Sequence, residues 1–356
     1  MFGSSMGERL KIHLWGVSHG PAVEASMEGF PAGFPVCMEE IQAFLMRRAP
    51  GQNAFSSARK EGDVPRILSG LDAEGVTTGE KIHVLIPNTN ARSGDYPDLH
   101  RFPRPGHADF AANLKYGDAW DHRGGGPFSA RLTAPLCFSG ALCMQYLKEN
   151  YGVEIAAHIA RIGSVSDALP DTSTPSLPLY EAGAFPVIDQ KAGERMREEI
   201  LAAKEKGDSV DGQVRCLVTG LPGGLGGPYF EGLEGKIAQG IFGIPAVKGI
   251  LFGEIQHFGS QNNDAFCVEA GAVRTKTNHH GGILGGISTG MPLHFTVDFK
   301  PTPSIALPQP GVDMLEKKEK EMQLQGRHDP CVVPRAVPVV EAVCGIVLLD
   351  EILKGA

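Results

Sequence analysis

Several things are scarce or missing in this 356-residue sequence. It has no CxxC pair: seven cysteines, an odd number, stand singly at Cys37, Cys137, Cys143, Cys216, Cys267, Cys331 and Cys344, mostly among apolar neighbours. That spacing offers neither a zinc cluster nor a disulfide framework and suits free thiols in a reducing compartment, so a cytoplasmic protein is expected. Positive charge is not in excess, since 33 Lys and Arg stand against 41 Asp and Glu for a net −8. A general nucleic-acid binder would show a basic surface interleaved with aromatics, and is not expected. Long apolar runs are absent too. The longest uncharged stretch, Thr277 to Val297, holds five glycines and three histidines, and Glu8, Arg9 and Lys11 interrupt the opening residues where an export signal would be apolar. Neither export nor a membrane span is expected. No GxGxxG follows a strand with an acid about twenty residues on, and no GxxxxGK[ST] occurs, so the common nucleotide-loop fingerprints are missing.

What is present is glycine, 46 residues of it, clustered beside polar groups in HRGGGPFSAR, LPGGLGGPYF and NHHGGILGGIS. Such loops let backbone N–H groups approach a phosphate or a flat ring, and all three are candidate ligand loops. Arg92, Arg101, Arg104, Arg123 and Arg131 fall in a Gly/Pro-punctuated stretch, preceded by Arg47, Arg48, Arg59, Lys60 and Arg66. The pattern reads either as a solvated basic face or as a cationic pocket in the first third of the chain; loop chemistry favours the pocket, and arginine's planar fork suits carboxylates and phosphates.

Histidine completes the picture. In RFPRPGHADF, Pro105-Gly106 breaks regular structure and reads as a turn that presents His107, against the plainer reading of a loop histidine capping a carbonyl. WGVSHG places His19 at the end of a strand, and GRHDPC supplies Arg327, His328 and Asp329. A metal site could draw on His19, His107 and Asp329, but the spacing fits no helix-borne ligand pattern and the arginines would repel a cation. Acid chemistry on an anionic ligand fits better, with histidine donating a proton and arginine holding the charge.

Periodicity predicts strands at 11–16, 81–86 and 213–219 and a helix over 39–48. It also predicts a buried helix from Thr133, as N-cap, to Gly152, with an apolar stripe of Leu136, Gly140, Cys143 and Leu147. A solvent-facing helix at 193–208, a helix, Pro turn and strand across 231–253, and a closing helix at 341–354 follow. Strands alternate with helices in both halves, which predicts an α+β (α/β layered) fold, one large domain over residues 1–356. The Pro/Ser/Thr-rich segment 169–179 reads as an exposed excursion.

Taken in order, three runs resemble one family, chorismate synthase: GVSHGPAVEASMEGFPAGFP, RSGDYPDLHRFPRPGHADFAANLKYGDAWDHRGGGPFSAR and KPTPSIALPQPGVDMLEKKEKEMQLQGRHDPCVVPRAVPVVEA. The likeness covers essentially the whole chain and implies a β-α-β sandwich, a homotetramer, and conversion of 5-enolpyruvylshikimate 3-phosphate to chorismate and phosphate by a trans-1,4-elimination that needs reduced FMN. It implies that His19 protonates or binds the leaving phosphate, that His107 acts at the N1 edge of the flavin, and that Asp329 takes part in deprotonation near N5, with Arg327 beside it. Ser129, Ala246, Gly285, Lys300, Pro301, Thr302, Pro303 and Ser304 match FMN-binding positions, and Arg48 matches an arginine for substrate or NADP; no metal is implied. A second reading is an FMN-dependent relative acting on another anionic substrate.

The chain departs from the commonest family pattern at Ala49 and Ala54, where arginines are usual, at Pro127-Phe128 after the triple glycine, at Pro245, and at Pro303 in KPTPS. Two cationic donors, the one at Ala54 assigned to NADP, and two hydroxyl or amide partners are thereby lost. No stretch is left over for a reductase domain, so NADPH stays open as a reductant while flavin reduction by the chain itself is not expected.

Overall fold

The structure, a computed structural model, describes residues 3–51, 61–89, 98–170, 180–324 and 329–355. Its first sheet contains β1 (Gly3–Met6), β2 (Lys11–Gly16), β3 (Ala22–Glu28), β4 (Arg66–Ser69) and β5 (Ile82–Pro87), in the order β1-β2-β3-β5-β4. The second contains β6 (Glu154–Ile162), β7 (Val165–Ser166), β8 (Gly212–Thr219), β9 (Val247–Phe252) and, beyond the hairpins β10–β11 (Phe266–Glu269, Ala272–Thr275) and β12–β13 (Ile283–Leu284, Ile287–Ser288), β14 (Leu293–Phe299). Its order is β7-β6-β8-β14-β9, and a last hairpin joins β15 (Gln309–Asp313) to β16 (Lys318–Met322).

Every pairing in both large sheets is antiparallel. One face of each is therefore free to pack on a core, and the residues alternate accordingly. Ile82, Val84 and Ile86 are buried along β5, with partly exposed residues between them, and Ile155, Ala157 and Ile159 are buried along β6.

Helices α1 (Met38–Arg48), α3 (Thr133–Tyr151) and α7 (Val333–Gly355) fill the space between the sheets, flanked by α5 (Leu233–Phe242). Helix α3 packs on β3 and β5, α7 packs on β6 and β8, and the two pack on each other, so the layers run β-α-β. Short helices α2 (Asp109–Tyr116) and α6 (Gly259–Asn262) lie in loops, while α4 (Gln190–Glu205) sets Ala192, Met196 and Ile200 against the protein. A single set of buried apolar residues connects both sheets through α3 and α7. The α3–α7 crossing is closer than a side chain allows: a Cβ on Gly140 would stand 2.3 Å from Ala342 Cα.

The predicted strands and helices fall where expected, with two corrections. Thr133 is the first helical residue and not the cap, because a tight turn at Ala130–Leu132 runs straight into α3 and moves the capping role back to Ser129, whose Oγ accepts Arg131 N–H at 3.2 Å. Helix α7 starts at Val333, ahead of the expected 341: Pro334 falls in the first turn, where its missing N–H has no helical partner, and the helix carries Pro338 in its interior at the loss of one N–H. Gly152 does end α3 in the left-handed conformation (φ 66°). Most of the predicted excursion, residues 171–179, lies outside the described residues. Among the described residues no helix is long and apolar enough to cross a membrane.

Candidate active site

At one end of the helix layer the structure encloses a cleft of about 820 Å³, within the usual range for small-molecule sites. Its walls come from the end of α1 (Arg48), the turn 104–108, the triple-glycine loop with Ser129 to Thr133, the start of α7, the Pro245-Ala246 corner, and the segment from Lys300 to Ser304.

The turn at Pro105-Gly106 forms as the sequence predicts, with Gly106 at φ +72° and His107 N–H donating to Arg104 O at 3.2 Å. His107 faces the cleft. Its Nδ1 lies 2.6 Å from Asp109 Oδ1, and Asp109, wholly buried, also receives Arg104 Nε at 2.7 Å. His19 does not itself line the cleft; it stands against Gly124 of the triple glycine, which does. Gly124 has φ +63°, and a Cβ there would come within 2.0 Å of the His19 ring, whereas a Cβ on Gly125 would meet His107 at 3.3 Å. One glycine loop therefore touches both histidines, and Ser18 pins the His19 turn to it through its N–H to Gly126 O (3.3 Å) and its Oγ to Arg123 O (3.2 Å). Ser18 Oγ also lies 3.1 Å from His19 Nδ1.

The cationic pocket is real but smaller than predicted, and partly neutralised. Arg48, Arg104 and Arg131 line the cleft. Arg47 instead turns inward to Glu341, Arg101 is held by Asp313 and Glu316, and Arg123 pairs with Asp121 at the surface. Arg66 sits on the edge strand β4, and Arg59, Lys60 and Arg92 lie outside the described residues. Arg48 NH2 lies 3.0 Å from Asp63 Oδ2, and Arg131 NH1 binds both Glu61 (3.0 Å) and Asp63. Burial brings the Arg48 guanidinium down to about 10 despite Asp63, with Arg335 and Arg131 adding repulsion. For Asp63, burial alone would raise the carboxyl, but Arg48 and Arg131 outweigh it and hold it below its ordinary range. Among the described residues two donors remain unmatched at the cleft wall: Arg48 Nε and Thr302 Oγ1 are buried without a hydrogen-bond partner. A buried polar group without a partner costs free energy, so both favour an anionic or hydrogen-bonding ligand.

Of the other predicted positions, Ser129, Ala246, Lys300, Thr302, Pro303, Ser304 and Asp329 line the cleft. Ala246 takes φ +73°, a strained backbone for a side-chain-bearing residue, and its carbonyl accepts Lys300 N–H at 3.0 Å. Lys300 Nζ reaches Gly106 O, and burial together with Lys248 lowers its proton affinity. Ser304 Oγ accepts Arg104 NH1 at 3.1 Å. Asp329 is ion-paired with Arg335, whose Nε donates to Arg48 O at 2.9 Å. Pro301 does not line the cleft, and Gly285 sits at the β12–β13 turn, away from it within one chain. Arg327 and Ala54 lie outside the described residues.

Two of the three glycine-rich runs are corrected as well: residues 221–230 and 278–288 pack on each other, Gly226 bridging Ile287 and Ser288 N–H donating to Leu225 O at 2.9 Å, and neither reaches the cleft. Sequence reasoning missed Glu61, Asp63, Asp109, Thr133 and Arg335. Only Asp109, two residues after the histidine, had a local signal.

Fold and cleft together suit an enzyme that works on a small molecule, with His107, Lys300, Arg48, Arg104 and Arg131 facing one space. Comparison with known proteins makes the class specific. The chorismate synthase family model matches residues 10–353. A chorismate synthase of Thermococcus gammatolerans is 45% identical over 98% of this chain and 97% of its own, and that of Korarchaeum cryptofilum 43% identical over 100% and 99%. A crystal structure of chorismate synthase superposes with a TM-score of 0.74 at 27% identity, over 98% of this chain and 93% of the other. The chain belongs to the chorismate synthase family and is a lyase of that type; a relative with a different activity is not favoured.

Proposed function

We propose that the chain eliminates phosphate from 5-enolpyruvylshikimate 3-phosphate to give chorismate, in this cleft and with reduced FMN. The observation that carries the reading is the meeting of His107, the unmatched donors Arg48 Nε and Thr302 Oγ1, and Lys300 in a single cleft of about 820 Å³. That space suits a flat ring beside a compact substrate. The substrate bears two carboxylates and a phosphate and FMN brings another phosphate, which calls for arginine, lysine and hydroxyl donors. Reduced FMN, when bound, supplies the electron-rich ring that makes loss of phosphate and of the C6 hydrogen feasible.

The chain's residues do the rest. His19 delivers a proton toward the departing phosphate, and His107 holds a proton at the cofactor edge. Asp329, oriented by Arg335, assists deprotonation. Arg48 binds the anionic ligand. Ser129, Ala246, Lys300, Thr302, Pro303 and Ser304 form the cofactor wall, with Arg327 beside it; Gly285 and Pro301 do not contribute within one chain. The whole chain acts as one domain, a reading supported by its continuous core. Exposed Tyr229 (93%) and Phe230 (97%), with Phe266, Val268 and Val273 also exposed, support an interface with another chain, and the family likeness favours a homotetramer. A cytoplasmic setting agrees with the free cysteines.

The test is an anaerobic assay with chemically reduced FMN, following phosphate and chorismate, repeated with oxidised FMN and NADPH. Chorismate is expected in the first condition alone. Its absence there, from folded protein that binds FMN, overturns the reading; its presence in both means that the chain reduces its own flavin despite Ala49 and Ala54.

A further inference from the structure

The turn that presents His107 also determines which ring nitrogen carries the proton. Asp109 opens α2 and is wholly buried. Its Oδ2 accepts Arg104 N–H at 3.0 Å and Arg104 Nε–H at 2.7 Å, while Oδ1 faces His107 Nδ1 at 2.6 Å and Arg104 NH2 at 2.8 Å. Burial would raise this carboxyl, but its bonds to Arg104 and His107 outweigh burial and keep it far below the usual carboxylate range. An ionised carboxylate only accepts hydrogen bonds. The group it meets at 2.6 Å must therefore be an Nδ1–H. Arg104 NH2 stands 3.0 Å from Nδ1, which already carries a proton and cannot accept another, and 3.3 Å from Nε2, which as the unprotonated nitrogen can accept its N–H.

We propose that Asp109 is a positioning residue for the reaction, locking neutral His107 as the Nδ1–H tautomer so that Nε2 is the nitrogen that takes up and returns the proton His107 carries at the ligand. The proposal rests on the reading of His107 as a proton carrier, and it assigns to Asp109 a part that neither the motif nor the family likeness gave it. The geometry also dictates what an amide would do. Arg104 directs two N–H groups at Oδ2 and one, from NH2, at Oδ1, so an asparagine would place its oxygen on the Oδ2 side and turn its NH2 toward Nδ1, displacing Arg104 NH2. The ring would then have to carry its proton on Nε2, the wrong tautomer for the same cleft.

The experiment is a long-range proton–nitrogen NMR spectrum of the full chain labelled with 15N-histidine, the His107 signals being assigned by their loss in His107→Ala. The native ring is expected to be protonated at Nδ1 with a bare Nε2, and Asp109→Asn to reverse this. Turnover of Asp109→Asn should fall by a factor on the order of 10² to 10⁴ with KM for the substrate little changed, as for a histidine held in the wrong tautomer. A native ring protonated at Nε2 overturns the proposal, and so does an Asp109→Asn variant that keeps both the native tautomer and native turnover. If Asp109→Asn fails to fold, the native spectrum decides alone. Absence of chorismate from the native chain would overturn the functional reading while leaving the tautomer result standing, so the two failures are distinguishable.

Discussion

The α3–α7 seam and the cleft at its end are built from the same helices and follow opposite rules. Along the seam the contacts are small and apolar: Gly140 lies against Ala342, and a Cβ on Gly345 would stand 2.8 Å from Met144. At the cleft, Thr133 and Arg335 from those helices join Arg48, Arg131, Asp63 and Glu61 in a knot of buried charge. Apolar contact stabilises in proportion to the area removed from water, whereas desolvating charges costs about as much as pairing them returns. The seam therefore carries stability. The cleft spends some of it to hold donors ready for an anion.

This contrast can be broken most forcefully at the histidines. His107→Ala or His19→Ala should lower turnover by a factor on the order of 10² to 10⁴ with the fold intact; a variant that unfolds, or one that turns over normally, removes that histidine from the chemistry. Glu341→Ala should do the reverse. Glu341 sits on α7, receives both Arg47 NH1 and NH2 at 2.7 and 2.9 Å, and accepts Ala157 N–H at 2.8 Å. Stripping a partner from a buried pair costs about 3–5 kcal/mol, measurable by urea unfolding, with turnover per folded molecule preserved. A loss under about 1 kcal/mol would mean that water in the small cavity beside Arg47 and Tyr180 replaces the carboxylate. Gly140→Ala comes next, overpacking the seam by about 1–3 kcal/mol, again with native turnover. A drop in turnover there would show that the seam sets the cleft geometry.

How much of this was readable in the chain follows the same division. The strands and the helices α1, α3, α4 and α5 announce themselves because local periodicity and packing agree. His107 was legible because Pro-Gly can hardly do anything except turn. Thr133 misled because a tight turn fused to α3 displaces the cap, and that depends on where Arg48 and Ala130 lie: Thr133 Oγ1 donates to Ala130 O at 2.6 Å and meets Arg48 NH1 at 3.3 Å. The glycine-rich runs at 221–230 and 278–288 misled in a different way, since glycine serves close backbone packing as readily as ligand approach. The acidic half of the cleft was invisible. Glu61 and Asp63 find Arg131 some 70 positions on, and the separation of Asp63 from Arg131 is 68 residues; no spacing rule reaches that far.

The smallest effect at working pH separates seam from cleft by titration. Asp63 and Asp109 are held below the free carboxylate value of about 3.9, each by arginines that outweigh its burial, and Asp109 by His107 as well. A carboxylate depressed on folding binds its proton more readily in the unfolded chain. Its stabilisation is therefore fully present above the unfolded pKa and is lost as pH falls toward the folded one. Asp167 and Asp264 are depressed in the same sense, away from the cleft, and set a background. Burial also lowers the proton affinity of His280 and His294, which begin to take stability away as pH falls through the free histidine value of about 6.5. Urea midpoints should thus decline gently from about pH 7 and more steeply below about pH 5, where the carboxylates join. Gly140→Ala, which touches only the seam, should shift the whole curve down in parallel, while Asp63→Asn should flatten its acid limb, because one of the groups that titrate is gone. A parallel shift in Asp63→Asn would mean that its carboxylate is no more acidic in the folded chain than in the unfolded one, and that the charges at the cleft are set by ligand and not by the fold.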